Sequence, residues 1–225
     1  MIFLSRCAIR TILCAGAIAA LVTLSVAQLN SGRHKQMHAL VADSAAQAVP
    51  LAIGMTPDDF VLLGQDGRPI HFYRLIHQKK TVLIFYRGDW CPFCNAHLAD
   101  LARIEGELRH KGYQIIAVSP DAPAELTKTL TRNHLTYQLF SDSKADAMKN
   151  FGVAYRLDDA TFNMYRDNYH VDLERYSGQP HHILPVPSVF IMNQRGVILY
   201  VHSDPDYKVR LKGSELLKAI KESKN

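Results

Sequence analysis

The feature that most constrains the fold is a buried strand followed, within a few residues, by two cysteines at a helix start. Residues 81–86, TVLIFY, form a short continuous apolar run rich in β-forming residues. Such a run is typical of a central strand that is covered on both faces. WCPFC comes next, and Pro92 suits the first turn of a helix that we predict over residues 92–110. Cys91 is therefore expected where the loop meets the helix.

The other segments predict an α/β fold built around a mixed sheet. Apolar runs at 60–63 and 70–72 flank the turn sequence QDG and predict an N-terminal β-hairpin. The elements predicted after residue 110 are a strand at 113–119, a helix at 123–134, a strand at 137–142, a helix at 143–152, strands at 188–192 and 197–202, and a helix from 213 with Ser214 as its N-cap. This order places helices on both faces of a mixed central sheet, which matches a thioredoxin-like fold.

The first 27 residues have the composition of an export signal. Two arginines and no acid precede an uncharged apolar run that ends near the small residues Ser25 and Ala27. The run is short for a membrane span, which needs about 20 residues. We predict a signal peptide or an uncleaved N-terminal membrane anchor at 1–27. Either would make the protein periplasmic, or anchored in the membrane facing the extracytoplasmic side.

The rest of the chain divides into a linker and one domain. Residues 28–52 are rich in Ala, Gln and Ser and predict a linker. Residues 53–225 form the predicted domain, with a polar, aromatic and irregular insertion at about 155–184. A net charge of +5 is mild and spread out, so we expect no nucleic-acid partner. No phosphate-binding or dinucleotide fingerprint is present, so we expect no cofactor and predict that electrons arrive through a partner thiol.

The cysteines point to redox chemistry. Cys7 and Cys14 lie in the targeting segment, which leaves Cys91 and Cys94 for the domain. A helix start stabilises an anion, so the pKa of Cys91 should be depressed, while Cys94 is more shielded one turn later. Cys91 would then attack, or be attacked by an incoming thiolate, and Cys94 would resolve the mixed disulfide.

Residues next to the two cysteines are expected to affect their reactivity. Trp90 would cover the pair and exclude water, and Pro92 would start the helix. Arg87 would stabilise a Cys91 thiolate, and Asp89 would oppose it. Two other interpretations remain: a zinc site completed by the histidines at 181–182, and an inert structural disulfide. We expect no metal, because a strand, loop and helix start is a redox arrangement.

Two stretches resemble a known family. IGMTPDDFVLLGQDGRPIHFYRL followed by TVLIFYRGDWCPFC, and DPDYKVRLKGSELLKAI near the end, are similar to peroxiredoxin-like proteins of the alkyl hydroperoxide reductase/thiol-specific antioxidant group. The similarity runs from about Ile53 to Ile220. It implies a thiol-dependent antioxidant oxidoreductase that reduces peroxides through a Cys91/Cys94 dithiol–disulfide cycle and is itself reduced by a thioredoxin-type partner.

The match departs from the family pattern at the active site. Peroxiredoxins use a Pro-x-x-x-Thr-x-x-Cys loop, and the alignment puts Arg87 at the proline, Cys91 at the threonine and Cys94 at the peroxidatic cysteine. The depressed pKa expected for Cys91 at the helix start instead makes Cys91 the first sulfur oxidised. By resemblance to thioredoxins, Pro187 would be a cis-proline beside the disulfide; a trans-proline at a strand start is the alternative, and Pro185 is a rival position.

The sequence also suggests roles for four further residues and two alternative functions. Arg210 could contact an anion or peroxide, although a surface position is also consistent with the sequence. His97, one helical turn after Cys94, could touch the site, but an exposed position on the helix is the expectation. The histidines at 181–182 could line the site. The alternative functions are an exported thioredoxin-like oxidoreductase acting on protein disulfides, and a copper-handling protein that uses Cys91, Cys94 and one of those histidines.

Overall fold

The computed structural model describes residues 41–223. The predicted targeting segment, and the predicted linker as far as residue 40, lie outside the described residues. Within 41–223, no helix is both long enough and apolar enough to cross a membrane.

A seven-stranded mixed sheet forms the centre of the domain. Its strands are β1 (Val61–Leu63), β2 (Pro69–His71), β3 (Lys80–Phe85), β4 (Tyr113–Ser119), β5 (Gln138–Ser141), β8 (Ser188–Met192) and β9 (Ile198–Ser203), and a separate antiparallel pair consists of β6 (Ala154–Arg156) and β7 (Ile183–Pro185). In space the order is β2-β1-β5-β4-β3-β8-β9. β3 runs parallel to β4 and antiparallel to β8, so the strand before the cysteines is central, as predicted.

Seven helices surround the sheet in residues 41–223. They are α1 (Phe72–Ile76), α2 (Pro92–His110), α3 (Pro123–Asn133), α4 (Asp146–Asn150), α5 (Asp159–Tyr169), α6 (Leu173–Ser177) and α7 (Gly213–Glu222). Successive residues of β3 point to opposite faces of the sheet. Leu83 and Phe85 join an apolar cluster with α1, α4, α5 and α6. Val82 and Ile84 join a second cluster with α2 and α7. The predicted thioredoxin-like arrangement, with helices on both faces, is confirmed.

The predicted irregular insertion is in fact ordered secondary structure, and that part of the prediction is wrong. It contains α5 and α6 and is bordered by β6 and β7. Each helix has an aspartate at its start: Asp158 accepts a hydrogen bond from the Thr161 backbone N–H, and Asp172 accepts one from that of Arg175. These side chains satisfy helix N–H groups that would otherwise lack partners. Phe162 buries one face of α5 against the first apolar cluster.

Packed structure begins upstream of Ile53. Ala42 forms a bridge with Tyr155 of β6, and a short 3-10 turn follows at Ala45–Gln47. Leu51 is buried, and its N–H donates to the Phe151 carbonyl. Residues 41–52, which the composition assigned to the linker, therefore contact the domain.

The N-cap of the last helix lies two residues earlier than expected. Lys212, not Ser214, is its N-cap, so that prediction is wrong. The reason is that the Glu215 carboxylate accepts a hydrogen bond from the Lys212 N–H at 2.9 Å. Asp100 of α2 also accepts from the Gly213 N–H at 2.8 Å, which fixes the helix start against α2.

Phe151 lies at the centre of the aromatic part of the core, and its removal should be costly. Its ring lies 4.8 Å from that of Phe190 and 5.1 Å from that of Phe85. We expect Phe151→Ala to lower the free energy of unfolding by about 3–5 kcal/mol, because it leaves a cavity in a packed core. Urea unfolding with an unchanged m-value measures this. Phe93→Ala, at an exposed position, is the matched control and should cost about 0.5 kcal/mol or less. Equal losses in the two variants would contradict the assignment.

Candidate active site

Cys91 and Cys94 form a close, buried pair at the start of α2. Cys91 is the N-cap residue, and Pro92 occupies the first turn, as predicted. The two Sγ atoms lie 2.7 Å apart, with the Cys94 thiol donating to Cys91. The Cys94 backbone N–H also donates to the Cys91 Sγ, at 3.4 Å. Cys91 is 1% exposed and Cys94 is 0% exposed. The pair is thus arranged around a negative charge on Cys91.

The two sulfurs have opposite pKa shifts. The hydrogen bond from Cys94, helped by the positive charges of Arg87 and Arg210, lowers the pKa of Cys91 to about 6 against the opposing effect of burial. Burial and the neighbouring Cys91 raise the pKa of Cys94 well above that of an ordinary thiol. At neutral pH, Cys91 is the thiolate and Cys94 is the thiol that donates to it.

Arg87 is buried against aromatic rings beside the cysteines. It is 2% exposed. Its guanidinium carbon lies 4.3 Å from the centre of the Tyr207 ring, 4.8 Å from that of Trp90 and 5.5 Å from that of Tyr165. It also donates a hydrogen bond to the Tyr165 hydroxyl. Its backbone N–H points at the Cys94 Sγ, at 3.5 Å. Cation–π contacts of this kind stabilise a charge that has left water.

The loop between β3 and α2 is held by buried acids. The Asp89 N–H donates to the Asp121 carboxylate at 2.8 Å, and burial raises the pKa of Asp121 to about 8. A side chain at Gly88, whose φ is +142°, would lie only 2.7 Å from an Asp121 oxygen. The Asp89 carboxylate pairs with Arg132 at 3.1 Å, so its charge, expected to oppose the thiolate, is compensated.

The segment before α7 reaches the same site. An Nη of Arg210 lies 3.6 Å from the Cys94 Sγ, so this half-buried arginine is not a plain surface residue. His97, expected to be exposed, is buried, and that prediction is wrong. The His97 ring lies on the buried side of α2, where its Nε2 hydrogen-bonds the Leu211 carbonyl at 3.0 Å.

Pro187 does not have the expected geometry. The Val186–Pro187 peptide bond is trans, as is every peptide bond in residues 41–223, so the cis prediction is wrong. Trans is the favoured form of X–Pro bonds, and a proline directly before a strand does not disturb the sheet. Ser188, the next residue, pairs with Phe85 at the end of β3. Pro187 therefore lies at the sheet edge that carries the site, and its role there stays a prediction.

The histidines at 181–182 hydrogen-bond to groups other than the cysteines. His181 hydrogen-bonds the Ser143 carbonyl at 2.7 Å, and His182 contacts the Glu174 carboxylate at 2.7 Å. Both line a small cavity that Trp90 and Asp121 also border. In the described part of the chain, no three His, Cys, Asp or Glu side chains are grouped to hold a metal ion. The geometry therefore gives no support to a copper or zinc site that joins them to the cysteines.

Two aromatic residues of the site were missed by the sequence reasoning. Tyr165 lies in α5 of the insertion, and Tyr207 precedes α7. The Tyr165 ring also lies 5.6 Å from that of Trp90, and Phe93 stacks edge-on to Tyr207 at 5.7 Å. Neither position has a local pattern that marks it, because both reach Arg87 only through the tertiary fold.

Comparison with known proteins identifies the family. The AhpC/TSA family model matches residues 53–201. The chain belongs to the AhpC/TSA family. This confirms the resemblance to peroxiredoxin-like proteins.

Individual relatives agree with this assignment. A "Putative peroxiredoxin bcp" of Haemophilus influenzae is 29% identical over 46% of this chain and 66% of its own length. The "Thiol-disulfide oxidoreductase ResA" of Halalkalibacterium halodurans is 23% identical over 64% of this chain and 65% of its own. The chain thus spans slightly less than two thirds of each of these relatives. The crystal structure of reduced Prx3 from Vibrio vulnificus in complex with hydrogen peroxide has a TM-score of 0.62 at 18% identity, covering 76% of this chain and 99% of that one, which supports the fold.

Removing the charge of Arg87 should weaken the Cys91 thiolate. We expect Arg87→Met to raise the pKa of Cys91 from about 6 by about 1, because a nearby positive charge is lost. The thiolate then forms only at higher pH, so alkylation of Cys91 near neutral pH slows. The pH dependence of alkylation, with the labelled cysteine located by mass spectrometry, measures this.

Two further variants control this experiment. Arg87→Lys keeps the charge and should retain more of the low pKa, which separates electrostatics from loss of packing. Arg195→Met removes a charge in the turn between β8 and β9, at the opposite end of β3, and should change nothing. A Cys91 pKa that stays near 6 in folded Arg87→Met protein would refute the role of Arg87.

Proposed function

We propose that the domain reduces peroxides through a Cys91/Cys94 dithiol–disulfide cycle. The observation that carries the proposal is the 2.7 Å hydrogen bond from the Cys94 thiol to a Cys91 sulfur whose pKa is lowered to about 6. A thiolate is the nucleophile that peroxides oxidise. A resolving thiol already lies in contact with it, so a disulfide needs little movement to form.

The cycle has three balanced steps. The Cys91 thiolate attacks one peroxide oxygen, the O–O bond breaks, and the departing oxygen takes a proton to leave as water or an alcohol. Cys91 is then a sulfenic acid. Cys94 loses its proton and attacks that sulfur, the S–O bond breaks, and hydroxide leaves as water. A thioredoxin-type dithiol reduces the resulting disulfide by exchange.

The geometry favours Cys91 over Cys94 as the first sulfur oxidised. The hydrogen bond from the Cys94 thiol lowers the pKa of Cys91, whereas Cys94 is fully buried and its pKa is raised. The family alignment, which puts Cys94 at the peroxidatic position, gives the opposite assignment. The pKa order is the stronger argument because reactivity depends on the fraction present as thiolate.

Exchange with protein disulfides is the second candidate. The WCPFC sequence and the similarity to a thiol–disulfide oxidoreductase of Halalkalibacterium halodurans favour it. Against it, Cys91 is 1% exposed and lies beside Trp90, Arg87 and their aromatic contacts. A small peroxide needs less displacement of these side chains than the backbone of a docked protein does.

Stopped-flow mixing of the reduced protein with hydrogen peroxide tests the two candidates. We expect a fast change in Trp90 fluorescence, because its ring adjoins the site and it is the only tryptophan. Cys91→Ser should abolish the fast reaction. Cys94→Ser should keep it and stop at a sulfenic acid that a dimedone-type reagent traps.

The contrary results are equally specific. Sulfenic acid trapped on Cys94 in Cys91→Ser protein would reverse the assignment of the sulfurs. Oxidation no faster than that of an ordinary thiol, together with rapid exchange with a protein disulfide, would select the second candidate.

We also propose that the protein is exported and works in the periplasm or on the outer side of the inner membrane. Support comes from the sequence of residues 1–27 alone. Expression of the full chain in a bacterial host, with fractionation and mass spectrometry of the N-terminus, tests this. A mature chain that starts at Gln28 indicates a cleaved signal, and the intact chain in the membrane fraction indicates an anchor.

A matched variant sharpens the export experiment. Ala27→Phe removes the small residue at the expected cleavage site, so a cleaved signal would become an uncleaved, membrane-bound form. An intact chain found in the cytoplasm, with or without this change, would exclude export.

A further inference from the structure

Arg210 and His97 form an arrangement around Cys94 that the cycle above does not use. Arg210 lies in the segment between β9 and α7, distant in sequence from the cysteines, yet an Nη of its guanidinium lies 3.6 Å from the Cys94 Sγ. His97 lies on α2, three residues after Cys94 and on the buried side of the helix. Its Nε2 hydrogen-bonds the carbonyl of Leu211, the residue next to Arg210.

We propose that Arg210 is a catalytic residue of the resolving step, and that His97 is a positioning residue that holds Arg210 against Cys94. The proposal rests on the peroxide cycle for its mechanism. The contacts it uses are those of Arg210 with the Cys94 sulfur and of His97 with the Leu211 carbonyl.

Cys94 needs such a partner because it is fully buried. To attack the Cys91 sulfenic acid, it must lose its proton and carry a negative charge, and burial disfavours that charge. The charge of Arg210 is the strongest effect that lowers the pKa of Cys94, whereas at Cys91 the hydrogen bond from Cys94 and the charge of Arg87 have larger effects than Arg210. The guanidinium therefore stabilises the attacking thiolate as the S–S bond forms and the S–O bond breaks.

His97 is suited to a fixed structural contact rather than to proton transfer. Burial and the charge of Arg210 lower the pKa of His97 to about 4, so the ring is neutral at physiological pH. A neutral ring that bonds a carbonyl through Nε2 carries its hydrogen there and donates it. This bond, the buried Leu211 side chain and the bond from the Gly213 N–H to Asp100 fix residues 211–213 on α2.

The contacts of residues 211–213 with α2 orient the Arg210 side chain. Its second Nη donates to the Val209 carbonyl at 2.7 Å, so the side chain folds back on its own segment. The structure gives no carboxylate partner to Arg210 within residues 41–223, and its sulfur contact is with Cys94. Displacement of the 209–212 segment from α2 would therefore move the charge away from the sulfur.

The pKa of Cys94 in a Cys91→Ser background tests the proposal without peroxide. This background leaves one thiol in the domain, and its thiolate absorbance reports its titration. We expect Arg210→Met to raise the pKa of Cys94 by about 1, and His97→Leu to raise it by a similar amount. In the double variant the two effects should not add, because His97 acts only through Arg210. His97→Gln can donate to the same carbonyl and should restore the original value.

Kinetics of the protein with both cysteines give the second readout. At a pH well above 6, Cys91 is already a thiolate, so Arg210→Met should slow disulfide closure more than it slows sulfenic acid formation. Disulfide closure should slow by about threefold to tenfold, because loss of thiolate is partly offset by higher intrinsic nucleophilicity. Lys208→Met removes a charge from the same segment, at an exposed position, and is the matched control for net charge.

The outcomes separate the two proposals. If no variant reacts rapidly with peroxide but the Cys94 pKa follows the expected pattern, the peroxide function fails and the Arg210–His97 arrangement stands. If Arg210→Met leaves the Cys94 pKa unchanged, Arg210 has no role at the sulfur. If the effects of His97→Leu and Arg210→Met add fully, or if His97→Gln behaves like His97→Leu, His97 does not position Arg210.

Discussion

A buried guanidinium without a carboxylate partner is the constraint on which this site depends. The ionisable groups that raise the pKa of Arg87 are Tyr155, Tyr165 and Cys91. Within residues 41–223, none of these groups is a carboxylate. Burying a cation costs free energy unless other groups compensate. Here the compensation comes from aromatic faces, from one tyrosine hydroxyl and from negative charge on Cys91. The burial of a charged Arg87 and the ionisation of Cys91 are therefore linked, because the charge of each group stabilises the opposite charge of the other.

The fold supports this link by joining three distant parts of the chain. β3 is buried on both faces and delivers Arg87 and the cysteines at its carboxyl end. The insertion contributes Tyr165 through α5, and the segment before α7 contributes Tyr207 and Arg210. Two apolar clusters, one on each face of the sheet, hold these parts in place. A site assembled in this way needs the whole domain to be folded before the pKa of Cys91 falls.

The elements that local patterns determine could be predicted, and those set by tertiary contacts could not. α2 occupies the predicted residues because Pro92 starts it and its apolar positions repeat with the helical period. The burial of His97 depends on the Leu211 carbonyl, more than a hundred residues away, and its neighbours in sequence do not reveal this. The aspartates at 158 and 172 do mark helix starts within the insertion. The segment was nevertheless predicted to be irregular because of its polar and aromatic composition.

The burial of both cysteines explains why the site holds two arginines. A thiolate that has left water interacts strongly with nearby charge, because the surroundings screen it poorly. The charge of Arg87 acts on Cys91, while an Nη of Arg210 lies 3.6 Å from the Cys94 sulfur. The two sulfurs share one proton in the reduced state, so a single negative charge lies close to two cations. Movement of that proton changes which sulfur is the nucleophile while the charge stays within reach of both guanidinium groups.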